Sequence, residues 1–247
     1  MRRDLSTVIW KERKLLFNQR GGRKQVILTL LVPAAMFAIL LPWQEGDGFF
    51  ESPLAVISSI LIPMLIVMLT IPESFAGERE RHTLETLLAS RLSDLDIIYG
   101  KMIPSVILAM LVFLITFFVA AITANVTSWT GQLMFYKPLI AIASIILGII
   151  VATTSAAAGV IISLRSPTVR EAQQTLMAIV MFPVLLLGIA GTFVFTIEGL
   201  RETITGTMEK VDPIVLLLAV VIVLCSVCFL LLRLAKRRFQ RSRLISD

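Results

Sequence analysis

The chain has 247 residues, of which 57% are hydrophobic and only 16% charged, with a formal net charge of +6 and a mean hydropathy of +0.89. A water-soluble domain could not keep a polar surface at this composition, so the expected solvent is a membrane. The basic residues follow the loops between apolar blocks, which accounts for the charge without a nucleic-acid partner.

Residues 1–24 read as a cytoplasmic amphipathic segment. Within 4–18, Leu5, Val8, Ile9, Leu15 and Leu16 fall near one helical face and Lys11, Arg13 and Lys14 elsewhere, while Trp10 suits a headgroup region. An interfacial anchor and a docking element for a partner fit this pattern equally. Gly21 and Gly22 then let the chain turn.

Six apolar blocks follow, at about 26–43, 54–71, 102–124, 138–164, 172–197 and 213–232. Each is long enough to cross about 30 Å of hydrocarbon as a helix that satisfies its own backbone. The first is too long and starts too late for a cleavable leader. Arg2 to Lys24 precede it, Arg79, Arg81, Arg91 and Lys101 lie between blocks two and three, Arg165 and Arg170 between four and five, and Arg233 to Arg243 after six. Only Lys137, Arg201 and Lys210 fall on the other side. The charge asymmetry predicts both termini in the cytoplasm, with 233–247 as a basic tail. The expected class is therefore an all-α, six-span protein of the inner membrane, a single transmembrane domain over 1–247.

The outside loops are too short to form domains, and 198–212 reads as a solvated connector or a short lid. Cys225 and Cys228 have redox spacing but lie in the sixth apolar block, where packing is the simpler reading. In the fourth block, Ala152 with Ala156 and Ser155 with Gly159 form a small-residue stripe that permits close approach, first within the chain and alternatively at a dimer seam. Pro33, Pro63, Pro104 and Pro183 are expected to bend helices.

No block carries an ionisable residue in its interior, and the single histidine, His82, lies in a loop. This disfavours an ion-coupled carrier or an intramembrane enzyme. No phosphate-binding loop G-x-x-x-x-G-K-[ST] is present, so no nucleotide site is expected in the chain. No catalytic, cofactor or metal residue is assigned.

Between blocks two and three, charges alternate from Glu73 to His82, Leu84, Leu87 and Leu88 make an i, i+3, i+4 patch, and Ser93 with Asp96 forms a helix start. The phrase Phe75-Ala-Gly-Glu-Arg-Glu-x-x-Thr-Leu-Glu-Thr-Leu-Leu88, followed by Gly100-Lys101, resembles the permeases of ABC-2 type exporters. The resemblance implies that residues 73–93 hold a coupling helix seated on a cytoplasmic ABC ATPase subunit. Glu78, Glu80, Thr83, Leu84, Glu85 and Leu88 would be contacts, Arg79 and Arg81 would pair across the interface, and Lys11, Arg13 and Lys14 would lean on the same partner. It further implies a second permease copy or homologue around one substrate path, with ATP and Mg held by the ATPase and membrane lipid around the spans. The alternative is a scaffold or assembly factor that works without an ATPase.

Overall fold

The computed structural model describes residues 7–12, 14, 32–50, 52–83, 92–129, 131–196 and 212–239. Regular structure among them is helical: α1 (7–12), α2 (32–45), α3 (Pro53–Glu80), α4 (Asp94–Thr127), α5 (Pro138–Ser163), α6 (Val169–Thr196) and α7 (Pro213–Arg238). Five of these, α3 to α7, are long and apolar enough to cross a membrane. The first predicted block lies partly outside the described residues. Its described part, α2, widens into a π turn at Met36–Leu40, next to Pro42, which has no N–H for the carbonyl one turn back. Gly46, at φ +60°, ends that helix and a 3-10 turn, Gly46–Phe50, follows.

Local sequence explains the helix starts. Prolines stand at N1 of α3, α5 and α7, where a missing N–H costs nothing. Ser52 and Asp212 accept from the backbone N–H groups of Leu54 and Ile214. At α4 the expected cap forms: Ser93 Oγ accepts from the Asp96 N–H at 3.2 Å and donates to Asp96 Oδ2 at 2.6 Å.

Two helices are longer than their apolar blocks. At 1.5 Å per residue, the 28 residues of α3 and the 34 of α4 span about 42 and 51 Å, against about 30 Å of hydrocarbon. The sequence reading ends the second span at Ile71 and places Glu73 to Glu80 in a loop. The structure corrects this, because α3 continues through Pro63 and Pro72 without interruption. Ile71, Phe75 and Ala76 lie on the buried side of the extension, so packing outweighs the lost hydrogen bond at Pro72.

α3 packs against α4, α5 and α6, and α5 against α4 and α7. The small-residue stripe does what its spacing allows: Ala152, Ala156, Ala157 and Gly159 are buried, and Gly159 lies against Ile71 of α3 and Leu176 of α6. Ile179, Phe182, Leu185 and Ile189 on α6, and most of α7, present apolar side chains outward. Cys225 and Cys228 are free thiols on α7, the first exposed.

We call proximal the end of the bundle where α1 docks, α3 and α5 finish and α4 and α6 begin, and distal the other. The distal end is closed by aromatic packing: Phe117 stacks on Tyr136 with centroids 3.9 Å apart, and Phe49 and Phe50 meet Tyr136 edge-on. The Tyr136 hydroxyl donates to the Phe117 carbonyl at 3.0 Å, and Asn125 exchanges two 2.8 Å hydrogen bonds with the Met134 backbone. The 198–211 connector lies outside the described residues.

Candidate functional site

The proximal end concentrates the polar chemistry of the protein. Lys101, one residue before the predicted third span, is within α4, 1% exposed and in contact with two other elements, α1 and α3. Its Nζ donates to Glu12 Oε1 of α1 at 2.8 Å and to the Ser74 carbonyl of α3 at 2.7 Å, and it lies 3.2 Å from Glu78 Oε1 of α3. The Phe75 ring covers one side, 5.3 Å from Nζ to its centroid.

Glu12 is 2% exposed, and its second oxygen accepts from Ser74 Oγ at 3.1 Å. Glu78 Oε1 also accepts from Lys11 Nζ at 3.1 Å, while its Oε2 is buried with no partner among the described residues. A charge leaves water only at a cost of several kcal/mol, and removal of one member of such a buried pair typically costs about 3–5 kcal/mol. Loss of any one member therefore leaves a buried charge short of a partner.

The sequence reading leaves the spans without interior ionisable groups and counts Lys101 among loop charges. With α4 beginning at Asp94, Lys101 lies two turns inside a helix, and two carboxylates approach it there. Glu12 drew no attention in the sequence. The only available signal was an acidic residue beside Val8 on a predicted amphipathic helix, and both are buried in the structure.

The end of α3 is tied down by its own side chains. Arg79 donates to the carbonyls of Leu164 at 2.7 Å and Ser166 at 3.3 Å, capping the end of α5. Glu80 accepts from the Val169 N–H at the start of α6 at 3.3 Å. Arg81, at the C-cap of α3, pairs with Glu73, about two turns back. Thr83 folds onto the Glu78 carbonyl through both its N–H, at 2.9 Å, and its hydroxyl, at 3.2 Å, and His82 turns the chain at φ +54°.

These contacts redistribute the residues that the resemblance assigns to a partner. Glu78 is turned inward, and both Glu78 and Arg79 are engaged within the chain. Arg81 and Thr83 are exposed, and so is Glu80 in its capping role. Leu84, Glu85 and Leu88 lie outside the described residues, as does Arg13. Lys11 reaches Glu78 with about half its side chain in solvent, and Lys14 is exposed with its Nζ 5.3 Å from the centroid of the Trp10 ring.

A search of curated protein sequences returns no match. A family profile described as ABC-2 family transporter protein matches residues 11–221, which includes the Glu12–Lys101–Glu78 cluster and α3 to α6 in full. A bundle of long apolar helices, with a family match across most of its length, makes this membrane protein a member of the ABC-2 transporter family.

Proposed function

We propose that the chain is the membrane-spanning permease subunit of an ATP-driven exporter in the inner membrane. In this reading it pairs with a second permease copy or homologue and is driven by a separate ABC ATPase that holds ATP and Mg. Block 26–43 is the first of six spans, and the proximal end and both termini face the cytoplasm.

The observation that carries the proposal is the unbroken run of α3 from the apolar core to Glu80, with its end bonded to α1, α4, α5 and α6. A force applied to residues 81–93 would act on a helix already braced against three other long helices, and a packed bundle responds to it as a body. The basic residues near this end are those expected next to a cytoplasmic leaflet. Because Glu78 and Arg79 have internal partners, the ATPase-facing surface is assigned to Arg81, Thr83, Leu84, Glu85 and Leu88, with Lys14 and Arg13 beside it.

Affinity purification of the chain in mild detergent, with the stoichiometry of any co-purifying ATPase, tests the reading. Leu84→Ala with Glu85→Ala is expected to abolish co-purification while insertion in the membrane is retained. A stable complex that contains no ATPase, even after crosslinking, would refute the exporter and point to a scaffold.

A further inference from the structure

The bundle holds an open apolar groove between Phe118 and Phe135, the methionines Met64, Met68, Met177 and Met181 between α3 and α6, and the buried charge cluster. The cluster carries an inference furthest. We propose that Lys101 is a positioning residue that makes the N-terminal helix and the end of α3 a single body, so that the coupling element is this assembly and not the 81–93 loop alone. The inference deepens the exporter reading and rests on it for the identity of the force, but not for the existence of the body.

Three observations converge on Lys101. Its ammonium group donates to Glu12 and to the Ser74 carbonyl at 2.8 and 2.7 Å, and forms an ion pair with Glu78 at 3.2 Å. It is the sole cation that reaches Glu12 among the described contacts, whereas Glu78 has Lys11 as a second cation. Without Lys101, Glu12 would keep only the Ser74 hydroxyl and would be a buried carboxylate lacking a counter-charge. Such a group regains water only if α1 lifts from α3 and α4. Lys11 would not hold the helix in place, because half its side chain is in solvent, where an ion pair is weak.

The geometry therefore gives Lys101 a specific consequence. Among the described residues, the buried contacts of α1 come from Val8 and Glu12. Without the cluster, Val8 is the one buried side chain among those residues that would remain to hold α1 to the bundle. An interfacial helix held only by lipid would be free to move relative to α3, and a shift of the coupling segment would then be lost on it.

Spin labels at Lys14, two residues past α1, and Arg165 in the turn after α5, on a background with Cys225→Ala and Cys228→Ala, measure this directly in the full chain by pulsed electron resonance. Both labelled sites are exposed. The parent should give one narrow distance peak. Lys101→Met should lose that peak to a broad distribution, and Lys101→Arg should restore it. Glu12→Gln, which leaves the Lys101–Glu78 pair in place, should broaden the same distribution and serves if Lys101→Met does not accumulate. A narrow peak retained in Lys101→Met or in Glu12→Gln, or a broad one in the parent, would overturn the proposal. Distances are read without the ATPase, so failure of the exporter reading would show in co-purification and leave this result standing.

Discussion

Gly159 offers a direct test of the helix packing that positions the candidate site. A methyl group built there would lie 2.7 Å from Ile71 Cγ2, 3.2 Å from Ile71 Cβ and 3.3 Å from Leu176 Cδ2, and both neighbours are fully buried. Gly→Ala in a helix interior is favourable by about 1 kcal/mol from propensity, whereas one surplus methyl in a packed core costs about 1–3 kcal/mol. The net expectation for Gly159→Ala is a loss of about 1 kcal/mol, which unfolding in mixed detergent micelles can resolve. Gly191 on α6 is the internal control, because its added methyl would meet nothing within 4 Å. Gly191→Ala should then be neutral or gain up to about 1 kcal/mol. Ile71→Ala alone should cost about 2–5 kcal/mol through its cavity, and the double variant less than the sum, since the new methyl occupies part of the space. Equal stabilities for Gly159→Ala and Gly191→Ala, or strict additivity with Ile71→Ala, would refute close packing of α3, α5 and α6 at this level.

Two further outcomes follow from contacts at opposite ends of the bundle. Arg79→Gln removes two charge-assisted hydrogen bonds to the Leu164 and Ser166 carbonyls in the turn after α5, a loss of about 1–3 kcal/mol given partial access of water, and trypsin should then cut faster at the exposed Arg165. An unchanged cleavage rate would mean that the cap does not hold this turn. At the distal end, burial raises the Tyr136 phenol above the usual tyrosine value of about 10. With the folded value above the unfolded one, Tyr136 contributes its full stability below about pH 10, and the contribution falls as pH rises beyond that. In a Tyr99→Phe background, phenolate absorbance should therefore appear later than in a free tyrosine and coincide with loss of the distal fold; titration near pH 10 in the folded protein would contradict the burial.

What the sequence made legible depended on the range of the interaction. Periodic and local features were readable: the apolar blocks at 54–71, 102–124, 138–164, 172–197 and 213–232 fall on α3 to α7, and Ser93 caps the helix three residues before Asp96. The stripe from Ala152 to Gly159 was legible as a packing surface because small residues one turn apart have few other uses in a membrane helix. The second apolar block ends at Ile71, just before the charges begin at Glu73, yet buried neighbours on α3 carry the helix across Pro72 to Glu80. Lys101 and Glu12 misled for a different reason. They are 89 residues apart, and each alone looks like an ordinary charge beside a membrane. No single-sequence pattern links a cation at one helix start to a carboxylate on another helix, so the buried cluster became visible only in the packing of α1 against α3 and α4. The Tyr136 cluster is of the same kind: its aromatic residues come from three separate stretches of chain.

The two ends of the bundle are built by opposite means, and the difference bears on how the protein would work. At the distal end, stacked rings and backbone hydrogen bonds fix short loops, and stabilisation of this kind changes little with salt or with a neighbouring charge. The proximal end is held by ion pairs and by helix ends capped with side chains from α3, whose strength depends on every partner being present at once. α3 runs between them and touches α4, α5 and α6 along its length. A rod packed this way cannot slide alone, because its buried face interlocks with three neighbours at the density of a crystal. Displacement of its proximal end therefore moves the group or breaks the charge cluster. The cluster sets which of these occurs: intact, it carries α1 and α4 along with α3, and with Lys101 or Glu12 neutralised, the same displacement would be spent at the proximal surface.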